Sequence, residues 1–342
     1  MEKNQINYNI SIMRIMATLG VIYMHTNTTL LFNPQLFTIS LSQGLFLRMG
    51  HELFLWTVPF FFMITGFLLL GASKPLNYST AIKKYVFRIF FALLLFSVPF
   101  AVLKLYGETH TVSCVGVIRA FVGNDSLSHL WYLYALIGLY LIAPILKIAV
   151  QRMENNSILA FLALSFVFCF LFPMISNISG YNIAFRMPLS YSVFYFIAGF
   201  YCRRLFECGR VNNKICGVVV AVSAAVIVLL VYFGAYRCVS DDYACPLIAV
   251  MSVSLFLFFL NLNMTVNEKW GRRLWVVDRL CFTVYLIHPV FIQLAYRKLN
   301  CVPIGSCHWI GATIIAFVVF SVLSYFFAVV LTKIPLLKRV LA

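Results

Sequence analysis

Long apolar runs separated by short polar breaks dominate this chain, and most are too long to be strands. About 20 apolar residues suffice for one helix to cross the hydrocarbon core of a bilayer. Ten segments approach or exceed that length: residues 10–30, 51–72, 86–106, 128–149, 158–176, 189–205, 216–236, 246–264, 281–297 and 308–332. The pattern predicts an all-α, polytopic integral membrane protein of about ten transmembrane helices. The stretch 107–127 has room for an interfacial helix. No repeat or low-complexity tract stands out, and no separate soluble domain is expected at either end, so residues 1–342 read as one transmembrane domain.

Composition removes the main competing classes. Of 342 residues, 63% are hydrophobic and 11% charged, against roughly 25% charged in an ordinary soluble domain. A soluble enzyme, a disordered tail and a disulfide-stapled secreted domain are thereby excluded. The net charge of +16 would suit nucleic acid, but the 34 Phe and 18 Tyr lie within the apolar runs. No nucleic-acid partner is therefore expected.

The basic residues instead report topology. With the N-terminus in the cytoplasm and ten crossings, 18 of the 26 Lys and Arg fall inside, among them Lys74, Lys83, Lys84, Arg88, Arg203, Arg204 and Arg272. Seven, including Arg48, Arg119, Arg186, Arg237 and Arg297, fall outside, and Arg14 lies within the first span. Lys and Arg near span ends concentrate on the cytoplasmic side, so both termini are expected there, in the cell (inner or plasma) membrane. The first run reads as an uncleaved span, because Arg14 interrupts it and no small-x-small cleavage site follows.

The ten cysteines show no metal spacing, and no metal is expected. Cys238 and Cys245 share one outer loop, and Cys301 and Cys307 share another. One or two disulfides could form there, with the pairing left open.

Two ionisable residues interrupt the first span, Arg14 and His25. Eleven positions at 100° each end about 20° from three full turns, so both share a face about 16 Å apart along the axis. Arginine offers a permanently charged planar fork for phosphate, and histidine moves protons near neutral pH. A donor with a phosphate head and a reactive tail, such as acyl-CoA, has comparable reach. Arg14 would hold its phosphate while His25 activates an acceptor hydroxyl. The plainer alternative is that Arg14 snorkels to headgroups and His25 is a satisfied polar residue at the interface.

The Arg-x10-His pair resembles the signature of the acyltransferase family 3 membrane proteins. Further segments resemble that family in order: Val58-Pro59-Phe60-Phe61-Phe62-Met63-Ile64-Thr65-Gly66, Lys83-Lys84-Tyr85-Val86-Phe87-Arg88, His129-Leu130-Trp131-Tyr132-Leu133, Leu139-Tyr140-Leu141-Ile142-Ala143-Pro144, Tyr195-Phe196-Ile197-Ala198-Gly199 and Val284-Tyr285-Leu286-Ile287-His288-Pro289. Thr65 stands where the family usually has serine, and Lys74 where many members carry arginine. The resemblance implies transfer of an acyl group, most often acetyl, from cytoplasmic acyl-CoA (acetyl-CoA) to a hydroxyl of an extracytoplasmic or lipid-linked polysaccharide. It implies His25 as the catalytic residue, Arg14 as its partner, and Arg14, Lys83, Lys84 and Arg88 as contacts for the CoA phosphates. Acyl-CoA, a carbohydrate acceptor and membrane lipid are the expected partners; homo-oligomerisation stays open.

Four more residues are candidates for substrate contact or support. His129 and Trp131 begin the fourth span, where Trp also serves as an interface anchor. Glu52, beside His51, is read at the start of the second span near the level of His25, either orienting that histidine or solvated in a loop. His288 lies on the outer half of the ninth span, either in the same site or bonded at a helix kink before Pro289. Thr65-Gly66 reads as close helix packing rather than a nucleophile. No Gly-x-Ser-x-Gly, P-loop or zinc pattern occurs. A multi-span transporter or flippase of a glycan-related or small anionic substrate, with Arg14 and His25 lining its path, is the competing class.

Overall fold

A computed structural model describes residues 2–33, 37–185, 187–235, 243–262 and 266–341. Every regular element among them is helical: α1 Glu2–Leu31, α2 Leu41–Leu53, α3 Thr57–Leu69, α4 Phe87–Thr109, α5 Cys114–Val122, α6 Trp131–Arg152, α7 Asn155–Phe166, α8 Phe172–Ser179, α9 Tyr191–Glu207, α10 Asn213–Tyr232, α11 Pro246–Leu260, α12 Glu268–Gln293, α13 Trp309–Lys333 and α14 Pro335–Leu341, with short π and 3₁₀ turns between some of them. The chain divides into two compact units, residues 1–71 with 153–329, and residues 72–152 with 330–342.

Among the described residues, seven stretches are long and apolar enough to cross a membrane: Leu41–Leu69, Tyr78–Gly107, Ser128–Arg152, Asn155–Ser179, Asn213–Tyr232, Glu268–Lys298 and Trp309–Lys333. The three remaining apolar segments of the sequence are helical too. They correspond to α1, the 17-residue α9 and the 15-residue α11. A 9-residue helix, α5, forms within 107–127.

Two helices begin well before their apolar runs, because polar caps and not hydropathy set their first turns. Ser40 and Gln43 form a reciprocal capping box at α2, satisfying two orphan N–H groups. The second span therefore starts at Leu41 rather than residue 51, and it breaks at residues 54–56 before resuming as α3. Asn267 accepts from the Trp270 N–H at 2.9 Å and starts α12 at Glu268, well ahead of the expected residue 281.

In the first unit, α3 and α9 meet backbone to backbone. A Cβ at Gly66 would fall on the Phe196 carbonyl, and one at Gly199 on the Met63 carbonyl. In lipid, apolar burial gives no driving force between helices, so such close packing carries the association. Thr65 Oγ1 donates to its own helix at Phe61, 2.7 Å away. The Thr65-Gly66 pair thus belongs to packing, as its sequence predicts. By contrast, α10 and α13 expose Val218, Val222, Leu229, Ile315, Val322 and Phe326, surfaces suited to lipid tails.

The same unit contains a parallel pair, α1 and α12. Tyr8 packs on Gly271, Arg14 on Asp278, His25 on His288, and Asn33 bonds Arg297. Each partner lies 263 or 264 positions further along the chain. A constant offset means that the two helices run in the same direction, one alongside the other.

In the second unit, the buried Lys147 of α6 donates to the Lys74 carbonyl at 2.7 Å, and Gln151 donates to Ala72 at 3.2 Å. These bonds fasten the segment before α4 to α6.

Candidate active site

α1 carries an unusually polar stretch, His25-Thr26-Asn27-Thr28-Thr29, at its second half. The helix accommodates it because Thr26, Thr28 and Thr29 donate to the carbonyls of Ile22, Met24 and His25 at 2.6–2.8 Å. Their hydroxyl protons are consumed within the helix, which leaves the half-buried His25 as the one ionisable side chain of this stretch.

His288 of α12 faces His25, with ring centroids 5.1 Å apart. Its orientation follows from the next residue. Pro289 has no N–H, so the Tyr285 carbonyl four positions back loses its helical donor. His288 Nδ1 meets that carbonyl at 2.7 Å, which makes Nδ1 the protonated nitrogen of the neutral ring. Nε2 is then the nitrogen able to receive a proton. His288 thus makes the contact expected of a helix histidine before proline, and its ring also faces His25. The Tyr285 ring lies 6.0 Å from His288 and 6.3 Å from Phe61 of α3.

His51 is a third imidazole. Its Nδ1 lies 3.0 Å from Thr28 Oγ1, one helical turn beyond His25. The Thr28 proton is already donated to Met24, so His51 Nδ1 is the donor here. Glu52, next in sequence, is fully buried and pairs with Arg48 at 3.3 Å. Arg48 also sits over the Phe32 ring. The expectation of a solvated loop at His51 and Glu52 is therefore wrong. Both residues are buried near the C-terminal end of α2, just before the helix break.

At the other end of the α1–α12 pair, Arg14 Nη1 donates to Asp278 Oδ1 at 2.5 Å, and Ser11 donates to Asp278 Oδ2 at 2.9 Å. Arg14 thus has an ion-pair partner that the sequence reading missed. The clues were present: Asp278 is one of only ten acidic residues, and it precedes His288 by nearly the interval separating Arg14 from His25. With the ninth span expected to start at residue 281, Asp278 falls in a loop.

The remaining candidates lie in the second unit. Lys83 and Lys84 are exposed on the π turn Ala81–Val86, and the exposed Arg88 donates from Nε to the Val340 carbonyl at 3.1 Å. His129 is buried in the turn leading into α6, whereas Trp131 is half-buried. The structure thus brings His25, His288 and His51 together, with Glu52 adjacent in sequence, and assigns Lys83, Lys84, Arg88, His129 and Trp131 to the other unit. Among the described residues, no group of three or more His, Cys, Asp or Glu is placed to hold a metal ion. Cys301 and Cys307 are not bonded to each other; Cys238, Arg186 and Arg237 lie outside the described residues.

A family model described as an acyltransferase domain, acyltransferase family 3, matches residues 7–333. An amino-acid racemase from Enterococcus faecalis is 26% identical over 279 residues, which cover 72% of this chain and 37% of that protein. The chain thus spans little more than a third of the length of that curated relative. No solved structure matches it. With the polar signature on α1 and the later segments matched in a single run, the chain belongs to the acyltransferase family 3 of membrane proteins.

Proposed function

We propose that the protein is an O-acyltransferase of the cell membrane. It would move an acyl group, acetyl in the leading reading, from cytoplasmic acyl-CoA to a hydroxyl of an extracytoplasmic or lipid-linked polysaccharide. The observation that carries this is the apposition of His25 and His288, with Nδ1 of His288 occupied by the carbonyl that Pro289 releases.

In the proposed reaction His25 removes the acceptor hydroxyl proton as its oxygen attacks the thioester carbonyl. The carbon–sulfur bond breaks, CoA leaves as thiolate, and the proton passes to that sulfur. In this scheme His288, whose ring faces His25, shares the proton through Nε2. Arg14, toward the end of α1 expected to face the cytoplasm, supplies N–H donors for a donor phosphate. Lys83 and Lys84 are separate candidate contacts for phosphate on chemical grounds. The ten-crossing topology with both termini inside is supported by the basic-residue count. The parallel course of α1 and α12 agrees with their places as first and ninth spans.

The test is the ester content of the surface polysaccharide. Deleting the gene should remove one class of O-acyl ester, the wild-type gene should restore it, and His25→Ala should not, at equal membrane abundance. Restoration by the alanine variant would overturn the role of His25, and an unchanged ester content after deletion would overturn the function.

A further inference from the structure

Asp278 is not part of the sequence signature, yet it meets the residue at the signature's inner end. We propose that Asp278 is a positioning residue that holds the Arg14 guanidinium toward an anionic donor group, a phosphate or diphosphate. This inference rests on the acyl-CoA reading of the site and goes beyond it by assigning a residue from a different helix.

Three observations support it. First, the Asp278 carboxylate is fixed at both oxygens by α1, Oδ1 by Arg14 and Oδ2 by Ser11. Second, Asp278 engages only one nitrogen of Arg14. Among the described residues no other group is hydrogen-bonded to that guanidinium, and the side chain is 27% exposed. Third, the contact lies on the same two parallel helices as the His25–His288 pair.

An arginine near the end of a span that lacks a partner extends toward headgroups. A carboxylate at one Nη prevents this while leaving Nε and the second Nη to form a planar pair of donors. The fork then stays on the face of α1 that carries His25. A purely stabilising ion pair would need no particular order of charges on the two helices, whereas a positioning residue requires the arginine on α1.

The experiment measures transfer from labelled acetyl-CoA by protein in proteoliposomes, with the melting temperature of each variant as a control. Asp278→Asn should raise the apparent KM for acetyl-CoA about tenfold with kcat within about twofold, the pattern of a lost binding contribution. Asp278→Glu should recover most of that loss. The exchange Arg14→Asp with Asp278→Arg should keep the ion pair and a near-normal melting temperature, yet retain the raised KM. If Asp278→Asn does not accumulate, the exchange and Asp278→Glu decide the question. A wild-type KM in Asp278→Asn or in the exchange would overturn the proposal while leaving acyl transfer intact. Wild-type protein that does not use acetyl-CoA would overturn the donor reading itself, and the role of Asp278 with it, before any variant is compared.

Discussion

Pro289 cannot donate to the carbonyl of Tyr285, and His288 takes that carbonyl instead. The consequence for one side chain is large: a ring that could carry its proton on either nitrogen is held in one tautomer, with Nε2 as the acceptor. Pro289→Ala should reverse this. An N–H restored at position 289 would compete for the Tyr285 carbonyl, and relief of the proline clash would hold or raise the melting temperature. The turnover number should nevertheless fall about tenfold, since misplaced catalytic groups cost rate without costing stability. Unchanged turnover in this variant would show that the orientation of His288 does not matter. Thr28 fixes His51 by similar logic, its single proton being already committed to Met24.

At the scale of helices, two contacts organise the first unit: α3 against α9 through Gly66 and Gly199, and α1 alongside α12. Gly66→Ala would set a methyl against the Phe196 carbonyl. A backbone contact cannot yield as a side chain can, so a loss of about 1–3 kcal/mol is expected. A thermal melt in detergent would measure it, and an unchanged midpoint would contradict the close approach. The helices themselves were legible from hydropathy, because each of the ten apolar segments is helical. Their ends were less so. Ser40 and Asn267 start α2 and α12 by hydrogen bonding, a signal that apolar content does not carry. The break at residues 54–56 falls on Phe-Leu-Trp, as apolar as its flanks. The α1–α12 pairing joins residues 263–264 positions apart, which no local pattern encodes. Arg14 and His25 were therefore readable from spacing within one helix, whereas Asp278 needed the fold.

For the molecule as a whole, the proposed topology accounts for most of the excess of basic charge. Trp270 and Trp275 are exposed near the start of α12, beneath the guanidinium groups of Arg273 and Arg279. Aromatic and basic residues together favour a membrane interface, and the proposed ten-span order would put this one on the cytoplasmic side. An introduced cysteine, Trp270→Cys, in protein lacking Cys114, Cys208, Cys238, Cys301 and Cys307 should be alkylated by an impermeant reagent only from that side. Labelling from outside would invert the topology and remove the proposed donor from the inner end of α1.

The most direct test of the account is transfer of a labelled acetyl group from acetyl-CoA to a polysaccharide acceptor, using purified wild-type and His25→Ala proteins in proteoliposomes. Labelled ester should form with the wild-type protein. The variant at equal incorporation should form at least about a hundredfold less, the scale of general-base catalysis. Equal ester formation by the two proteins, or none by the wild type, would contradict it.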